Sequence, residues 1–507
     1  MSSILPIALA VAFSSLLFLY SWMNHSPPKG YRFPPGPRGT PFIGHLGKDV
    51  NDLSLLRQWR KEYGDVISFD VLGNRYVFIF SRSIASDLFE KRSSNYSDRH
   101  PQPAVQLQGW GFNFGFMRYG SRWRQHRRGF HQFFNANVVK DYQPAQLQEL
   151  RDLVVRLHED PKGFLSHVEY STASIIMKIV YDYELNRKGD NYADIVRVAL
   201  EGAAESMNIG SHLVDFLPLL EFVPEWLPGT GWKRRARYYR TATLAVNKVP
   251  FEMVKENIEN GAAGPSITAT ALARLHSKLD PLPDDEEVTM NVSGIAFAAG
   301  AGTSHFGVLT LILAMVQHPE AQKKAQKEID SLVKDRLPTL EDRAQLHYTD
   351  AFCEETQRWR PVLPLGVFHT TLEDDIYGDY FIPKGTIVVG NSWEILRDEE
   401  LYGPNVEDFN PERFFRPGAR YPSAQWGYGR RMCPGRHLGS NTLFLATATI
   451  LKLFDVVPAK DENGDNIPIS GEYTTGGMIA PKPFKCDFKP RSEFARNFLN
   501  EQRATDL

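Results

Sequence analysis

Cysteine is nearly absent from this chain of 507 residues, which contains only Cys353, Cys433 and Cys486. A sparse, odd set gives no disulfide framework and fits a reducing compartment, so each thiol needs its own explanation. A charge excess is also missing: the formal total is −2, which removes any overall electrostatic case for nucleic acid. Around Cys433 there is no CxxC pair and the nearest histidine is His437, which argues against a zinc site there. Repeats and low-complexity tracts are lacking as well. What is present is a folding composition, 42% hydrophobic and 12% aromatic, enough for two or three ordinary domains or one large one.

The N-terminus carries an uncharged run, "ILPIALAVAFSSLLFLYSW", from Ile4 to Trp22. About 20 apolar residues are needed to cross a bilayer as a helix. No Lys or Arg precedes the run, whereas Lys29, Arg32 and Arg38 follow it. That pattern reads as an uncleaved anchor over residues 1–23 with the remaining chain in the cytosol, rather than a removed signal peptide. The Pro- and Gly-rich stretch up to residue 41 is a stiff spacer, and residues 42–507 form the body.

In that body helical periodicity dominates, for example over Leu53–Tyr63, Ser83–Lys91, Ser121–Phe134, Val138–Leu157, Phe164–Val180, Lys233–Asn257 and Leu438–Leu453. Two short β patterns stand out, a hairpin around Gly73-Asn74 and a second with its turn at Pro383-Lys384-Gly385. The expected fold is mainly α with a small β region in one large domain. The segment Phe216–Trp232 is apolar, aromatic and broken by prolines, and "KRRARYYR" follows it. It suits either a membrane interface or a core-packed loop beside an ordinary basic helix face.

Residues Glu286–Gln317 read as one helix, apolar on nearly every face from Ile295 to Met315 and therefore expected to cross the core. Gly300 and Gly302 lie inside it at a cost of about 1 kcal/mol each relative to Ala. Glycines there would let a large flat object lie on the helix, and would permit a local distortion that frees a carbonyl. Thr303 adds a hydroxyl at that level.

Cys433 lies in "WGYGRRMCPGRHLG". A single thiolate ligand suits haem, because the porphyrin supplies the other four donors. Pro434 fits a first helical position, and a helix from Gly435 would aim its positive end at the sulfur. Gly427, Gly429 and Gly435 would allow close backbone approach. Arg431 could pair with a carboxylate on the haem edge. On residue chemistry alone two readings stand, an axial ligand or a buried structural cysteine beside a Gly-rich turn.

Taken together, these motifs resemble the cytochrome P-450 family of membrane-bound haem-thiolate monooxygenases over essentially the whole chain. The family pattern Phe-x-x-Gly-x-Arg-x-Cys-x-Gly appears as Trp426, Gly429, Arg431, Cys433 and Gly435, with Trp for the usual Phe. "EETQRWRP" carries the Glu-x-x-Arg pair Glu355 and Arg358, and "NPERFF" supplies Arg413. The resemblance implies that these three form a buried charge network. It also implies that Trp123 and Arg127 of "SRWRQHRR", His369 and Arg99 hold the propionates of haem b with Arg431, Cys433 being the axial metal ligand and Gly435 part of the cofactor-binding loop.

The family's central helix usually reads Ala/Gly-Gly-x-Asp/Glu-Thr-Thr/Ser. Here it reads Ala299, Gly300, Ala301, Gly302, Thr303, Ser304, so the acid is absent. Thr303 and Ser304 are the candidate catalytic residues, and proton supply would pass through water beside Gly302, through Ser304 or through His305. The resemblance further implies insertion of one oxygen atom from O2 into a lipophilic small molecule. Electrons would come from NADPH through a flavoprotein NADPH–cytochrome reductase, with cytochrome b5 as a second candidate donor. Arg124, Arg128 and Arg430 would offer the reductase a positive face, or are simply solvated. The pocket wall is expected at Val105–Trp110, Phe297, Ala299, Leu363–Phe368 and Thr475–Met478, and the location is the endoplasmic reticulum membrane. Details such as "LAMVQHPEAQKKAQKEID" resemble fungal members in secondary metabolism. Two competing readings are a reductase-independent isomerase or dehydratase, against which Thr303 argues, and a non-catalytic haem or ligand binder.

Overall fold

The computed structural model describes residues 27–41, 43–185, 191–206, 208, 210–277, 282 and 284–505. The anchor expected over residues 1–23 lies outside the described residues. Helices of ten residues or more run Leu53–Tyr63 (α1), Ser121–Phe134 (α2), Gln143–Glu159 (α3), Phe164–Tyr181 (α4), Asn191–Ser206 (α5) and Gly231–Glu259 (α6). They continue with Ile267–His276 (α7), Asp285–Gln317 (α8), Pro319–Leu332 (α9), His347–Trp359 (α10), Arg436–Leu453 (α11) and Glu493–Thr505 (α12). The strands are Val66–Val71 (β1), Asn74–Ile79 (β2), His369–Thr370 (β3), Asp375–Tyr377 (β4), Tyr380–Ile382 (β5), Ile387–Gly390 (β6), Phe454–Pro458 (β7) and Cys486–Pro490 (β8). The molecule is mainly helical with small sheets, as expected.

Local chemistry explains several boundaries. The Asp52 carboxylate accepts from Ser54 N at 2.8 Å and caps α1, which ends at Gly64 with φ +93°. In α2 the buried positions are Trp123, His126, Phe130, Phe133 and Phe134, one stripe of a 3.6-residue period. The expected helix from Ser83 is shorter: Arg82–Ser86 is α-helical, and Asp87–Lys91 relaxes into a π turn. The first hairpin turns at Leu72-Gly73, not Gly73-Asn74, because Val71 pairs with Asn74. Both turn residues then need positive φ, and Leu72 adopts +47°. The turn at Pro383–Gly385 exists, with Thr386 N donating to Pro383 O at 3.2 Å. It links two different sheets rather than closing a hairpin, since β5 pairs with β4.

The main sheet has the order β1-β2-β6-β3, with β2 and β6 parallel and the other neighbours antiparallel. β4–β5 and β7–β8 are separate two-stranded pairs. Helix α8 is the axis of the molecule and packs most extensively on α4. By length and composition it could cross a membrane, but its apolar residues are core. Its N-terminal half lies in a cluster with α2, α4 and α6, and its C-terminal half in a cluster with α3, α11, β7 and β8.

Between those two clusters α8 is bare. Residues 291–298 and 307–316 are buried, yet Ala299 is exposed and Gly300 and 302–306 are partly exposed. This mid-core helix therefore leaves a stretch around Ala299 uncovered by neighbouring side chains.

Candidate active site

Cys433, on a separate loop, is likewise only partly buried. The loop carrying it is built by two left-handed glycines, Gly427 at φ +78° and Gly429 at +51°. A Cβ on Gly429 would also lie 2.0 Å from Phe89 O, so no other residue fits. The loop closes when Cys433 N donates to Trp426 O at 2.7 Å. Trp426 then packs toward Gly439 on α11, where a Cβ would touch its ring at 3.4 Å. Helix α11 begins at Arg436 with Gly435 as its N-cap, so Pro434 sits in the turn before the helix rather than at its first position.

Cys433 lies deep in the protein and still retains accessible surface. Burial raises its thiol pKa, while the Gly435 and Arg436 N–H groups and the Arg127 and Arg436 cations pull it down. The sulfur therefore has the helix-end donors and positive field a thiolate needs. A Cβ on Gly435 would meet no atom within 4 Å.

A cationic pocket borders the same region. Arg99, Arg431 and His369 are 6%, 8% and 5% exposed. Arg431 donates to the carbonyls of Ser97 (2.7 Å), Phe114 (3.2 Å) and Met117 (2.7 Å), and its guanidinium lies 4.4 Å from the Trp123 ring centre. Arg99 donates to Gly115 O, Val367 O and Phe368 O at 2.8–3.0 Å. His369 Nδ1 donates to Tyr96 O at 2.7 Å, which leaves Nε2 toward the pocket.

Burial, then the Arg431 charge, holds the Arg99 pKa well below its ordinary range. Burial, reinforced by the Arg127 charge, brings Arg431 down to about 10. His369 is lowered by burial and then by Arg99. The nearby carboxylate, Asp98, is engaged by Arg118 Nε at 2.6 Å and Tyr119 N at 2.7 Å. Arg127 has no carboxylate partner among the described residues. Burial lowers its pKa and Cys433 is its principal favourable charge. Three guanidiniums thus converge with only backbone carbonyls and one shared acid. Buried cations without counter-ions are costly, and two carboxylates on a planar ligand would neutralise them.

Behind this region Glu355, Arg358 and Arg413 form the expected network, all buried. Arg358 Nε and Nη2 donate to the two Glu355 oxygens at 2.7 and 3.0 Å, and Arg413 Nε donates to Oε1 at 2.8 Å. The remaining guanidinium groups end on the carbonyls of Leu396, Tyr402 and Asp408. With every group paired, removing one partner would cost roughly 3–5 kcal/mol.

A thiol at a helix start, a bared stretch of the central helix and a pocket of unneutralised cations fit a haem with two propionates. A cytochrome P450 family model matches residues 34–488. The chain belongs to the cytochrome P450 family. It is 38% identical to cytochrome P450 monooxygenase COX1 of Coprinopsis cinerea over 92% of each chain. To cytochrome P450 monooxygenase ple1 of Rhodocybe pseudopiperita it is 37% identical over 94% of this chain and 93% of the relative. To tryptamine 4-monooxygenase of Psilocybe cyanescens it is 36% identical over 91% and 94%. This P450 is an oxidoreductase of the monooxygenase type, and the family implies haem with a thiolate ligand.

On the distal side, α8 stays α-helical throughout and does not distort at its glycines. Thr303 Oγ1 donates to Ala299 O at 2.7 Å, so the hydroxyl itself caps the carbonyl that a distortion was expected to free. Gly300 is required by packing, since its Cβ would lie 3.1 Å from Ile176. At Gly302 a Cβ would make only an ordinary 3.7 Å contact with Leu200. His305 does not join Thr303: two residues along a helix is about 200° of rotation. Its Nε2 is buried without a partner, and burial brings its pKa down to about 4. Ser304 is partly exposed, about 100° around the helix from Thr303. Of the expected wall, Ala299 is exposed, whereas Phe297 is 1% exposed and packs on Tyr192 at 5.9 Å. Trp110 is also core, 2% exposed.

Sequence reasoning missed the carbonyl cage around Arg431 and Arg99. Its acceptors come from residues 97, 114, 115, 117, 367 and 368, which no linear motif unites.

Proposed function

We propose that this P450 inserts one oxygen atom from O2 into a lipophilic small molecule of fungal secondary metabolism, with electrons delivered from NADPH by a separate flavoprotein reductase. The observation that carries the reading is the partly exposed Cys433 thiol, with backbone N–H donors for its anion, beside the buried cations Arg127, Arg431 and Arg99 that no ion pair neutralises. Bound there, haem supplies the iron that activates oxygen. The chain's part is positional. Cys433 would hold the iron, with the Gly435 and Arg436 N–H groups steadying its negative charge. Trp123, Arg127, Arg431, Arg99 and His369 would hold the propionates. Thr303, whose Oγ1 donates to Ala299 O, would supply the hydroxyl on the bared stretch of α8, and Gly302, having no side chain, would leave water a route to it. The exposed Ala299, on a helix that is apolar around it, would favour a lipophilic substrate. Arg124, Arg128 and Arg430 are exposed, with Arg124 and Arg430 both against Tyr119, and present a positive patch for an acidic reductase.

Purified protein with reductase and NADPH, screened against lipophilic natural products, is expected to give a thiolate-type carbon-monoxide spectrum and products heavier by one oxygen. Cys433→Ser should lose both. Equal turnover with hydroperoxide and no NADPH, or an unaltered spectrum in Cys433→Ser, would overturn the reading.

A further inference from the structure

Helices α2, α6 and α8 meet at Gly294, and their junction is polar. A Cβ on Gly294 would lie 2.0 Å from Asn247 Oδ1, so glycine alone lets α6 approach. Asn247 Nδ2 donates to Asn291 Oδ1 at 3.1 Å. Asn291 Nδ2 donates to His126 Nε2 at 3.1 Å, and His126 Nδ1 donates to Arg122 O at 2.8 Å. The three side chains are 4%, 1% and 0% exposed.

The direction of this chain is fixed by chemistry. Arg122 O only accepts, so His126 Nδ1 carries the proton and Nε2 is an acceptor. Asn291 must then turn its NH2 to His126 and its oxygen to Asn247. Burial keeps His126 neutral by lowering its pKa. A neutral imidazole and two amides thus form one ordered relay with a single consistent arrangement.

His126 sits one turn after Trp123 and immediately before Arg127 on α2. Rotation of α2 about its axis would therefore swing Arg127 away from Cys433 and Trp123 away from Arg431. At its other end the relay holds α6, whose Arg240 Nη1 donates to Gln106 O at 3.1 Å on the short helix Pro103–Leu107.

We propose that Asn247–Asn291–His126 is a positioning relay that fixes the rotation of α2, so that Trp123 and Arg127 face the haem edge, and that ties this orientation to α6. The proposal rests on the reading of Arg127 as a propionate partner. His126 and Asn291 are positioning residues and touch no substrate.

The test uses full-length holoprotein, following haem loss to excess apomyoglobin and the iron midpoint potential. His126→Leu and Asn291→Leu are each expected to speed haem loss about tenfold and to shift the potential. The double variant should be no worse than either single one, because both break one relay. His126→Gln, whose Oε1 can accept from Asn291, should restore both readouts. A lowered melting temperature with unmoved potential, additive losses, or no rescue by His126→Gln would overturn the proposal. Arg127→Leu run in parallel separates the two failures: unchanged haem loss there removes Arg127 as a partner and the relay's purpose with it, whereas a loss seen only in Arg127→Leu rejects the relay alone.

Discussion

Three thiols in one chain show how surroundings decide chemistry. Cys353 and Cys486 are buried, and burial raises both well above the ordinary thiol range. Cys353 is further raised by Glu354 and Cys486 by Asp487. Cys433 is also raised by burial, but two backbone N–H groups and two arginines oppose it. Only Cys433 combines an accessible sulfur with donors for its anion. The residue scale also gives a prediction away from the site. Asp215 accepts from Ala104 N at 2.9 Å, and burial raises its pKa to about 6. A raised acid adds stability while protonated, below its unfolded pKa near 4, and that contribution is lost as pH rises through 6. Asp215→Asn keeps an acceptor without the charge. It should stabilise the protein by about 1–2 kcal/mol near pH 8 and by much less near pH 5, read by urea unfolding at both values.

At the scale of elements, α8 does the most with the least side chain. Gly307 lets α11 approach, since its Cβ would lie 2.8 Å from Leu443, Gly294 admits α6, and Gly300 accommodates Ile176. Of the four glycines in α8, Gly302 alone has room to spare. Gly302→Asp therefore fits sterically. It is expected to change product formed per NADPH consumed by roughly twofold or more, as a positioned acid would. Coupling equal to wild type, measured as product against NADPH, would remove this position from proton delivery.

For the whole molecule, the surface between Leu213 and Val249 is the feature that the core does not explain. Leu219, Phe222 and Trp226 are 78%, 78% and 79% exposed. The basic run behind them is largely spent: Arg235 pairs with Glu205, Arg237 pairs with Glu225, and Lys233 Nζ holds the carbonyls of Glu221 and Val223 at 2.5 Å. Membrane contact here should therefore depend on apolar area more than on lipid charge. In full-length protein in vesicles with brominated lipid, Trp226→Phe should remove part of the tryptophan quenching, to a similar extent in neutral and anionic bilayers. No difference between wild type and variant would count against insertion at this point.

The sequence alone determined what short-range order can encode. Helical periodicity marked α1, α2 and α8 because amphipathic or fully apolar repeats survive as local pattern. The residues at the cysteine were legible because a ligand loop is contiguous, and Glu355 and Arg358 because one helical turn joins them. Tertiary structure decided the rest. It showed that Leu72, not Asn74, takes the left-handed turn position, since strand register sets the turn. It separated His305 from Thr303 and buried Phe297, since the side of a uniformly apolar helix is invisible without its neighbours. It also assembled the carbonyl cage of Arg431 and the relay through Asn291 from residues far apart in sequence, because closing long loops brings together groups that no linear spacing records.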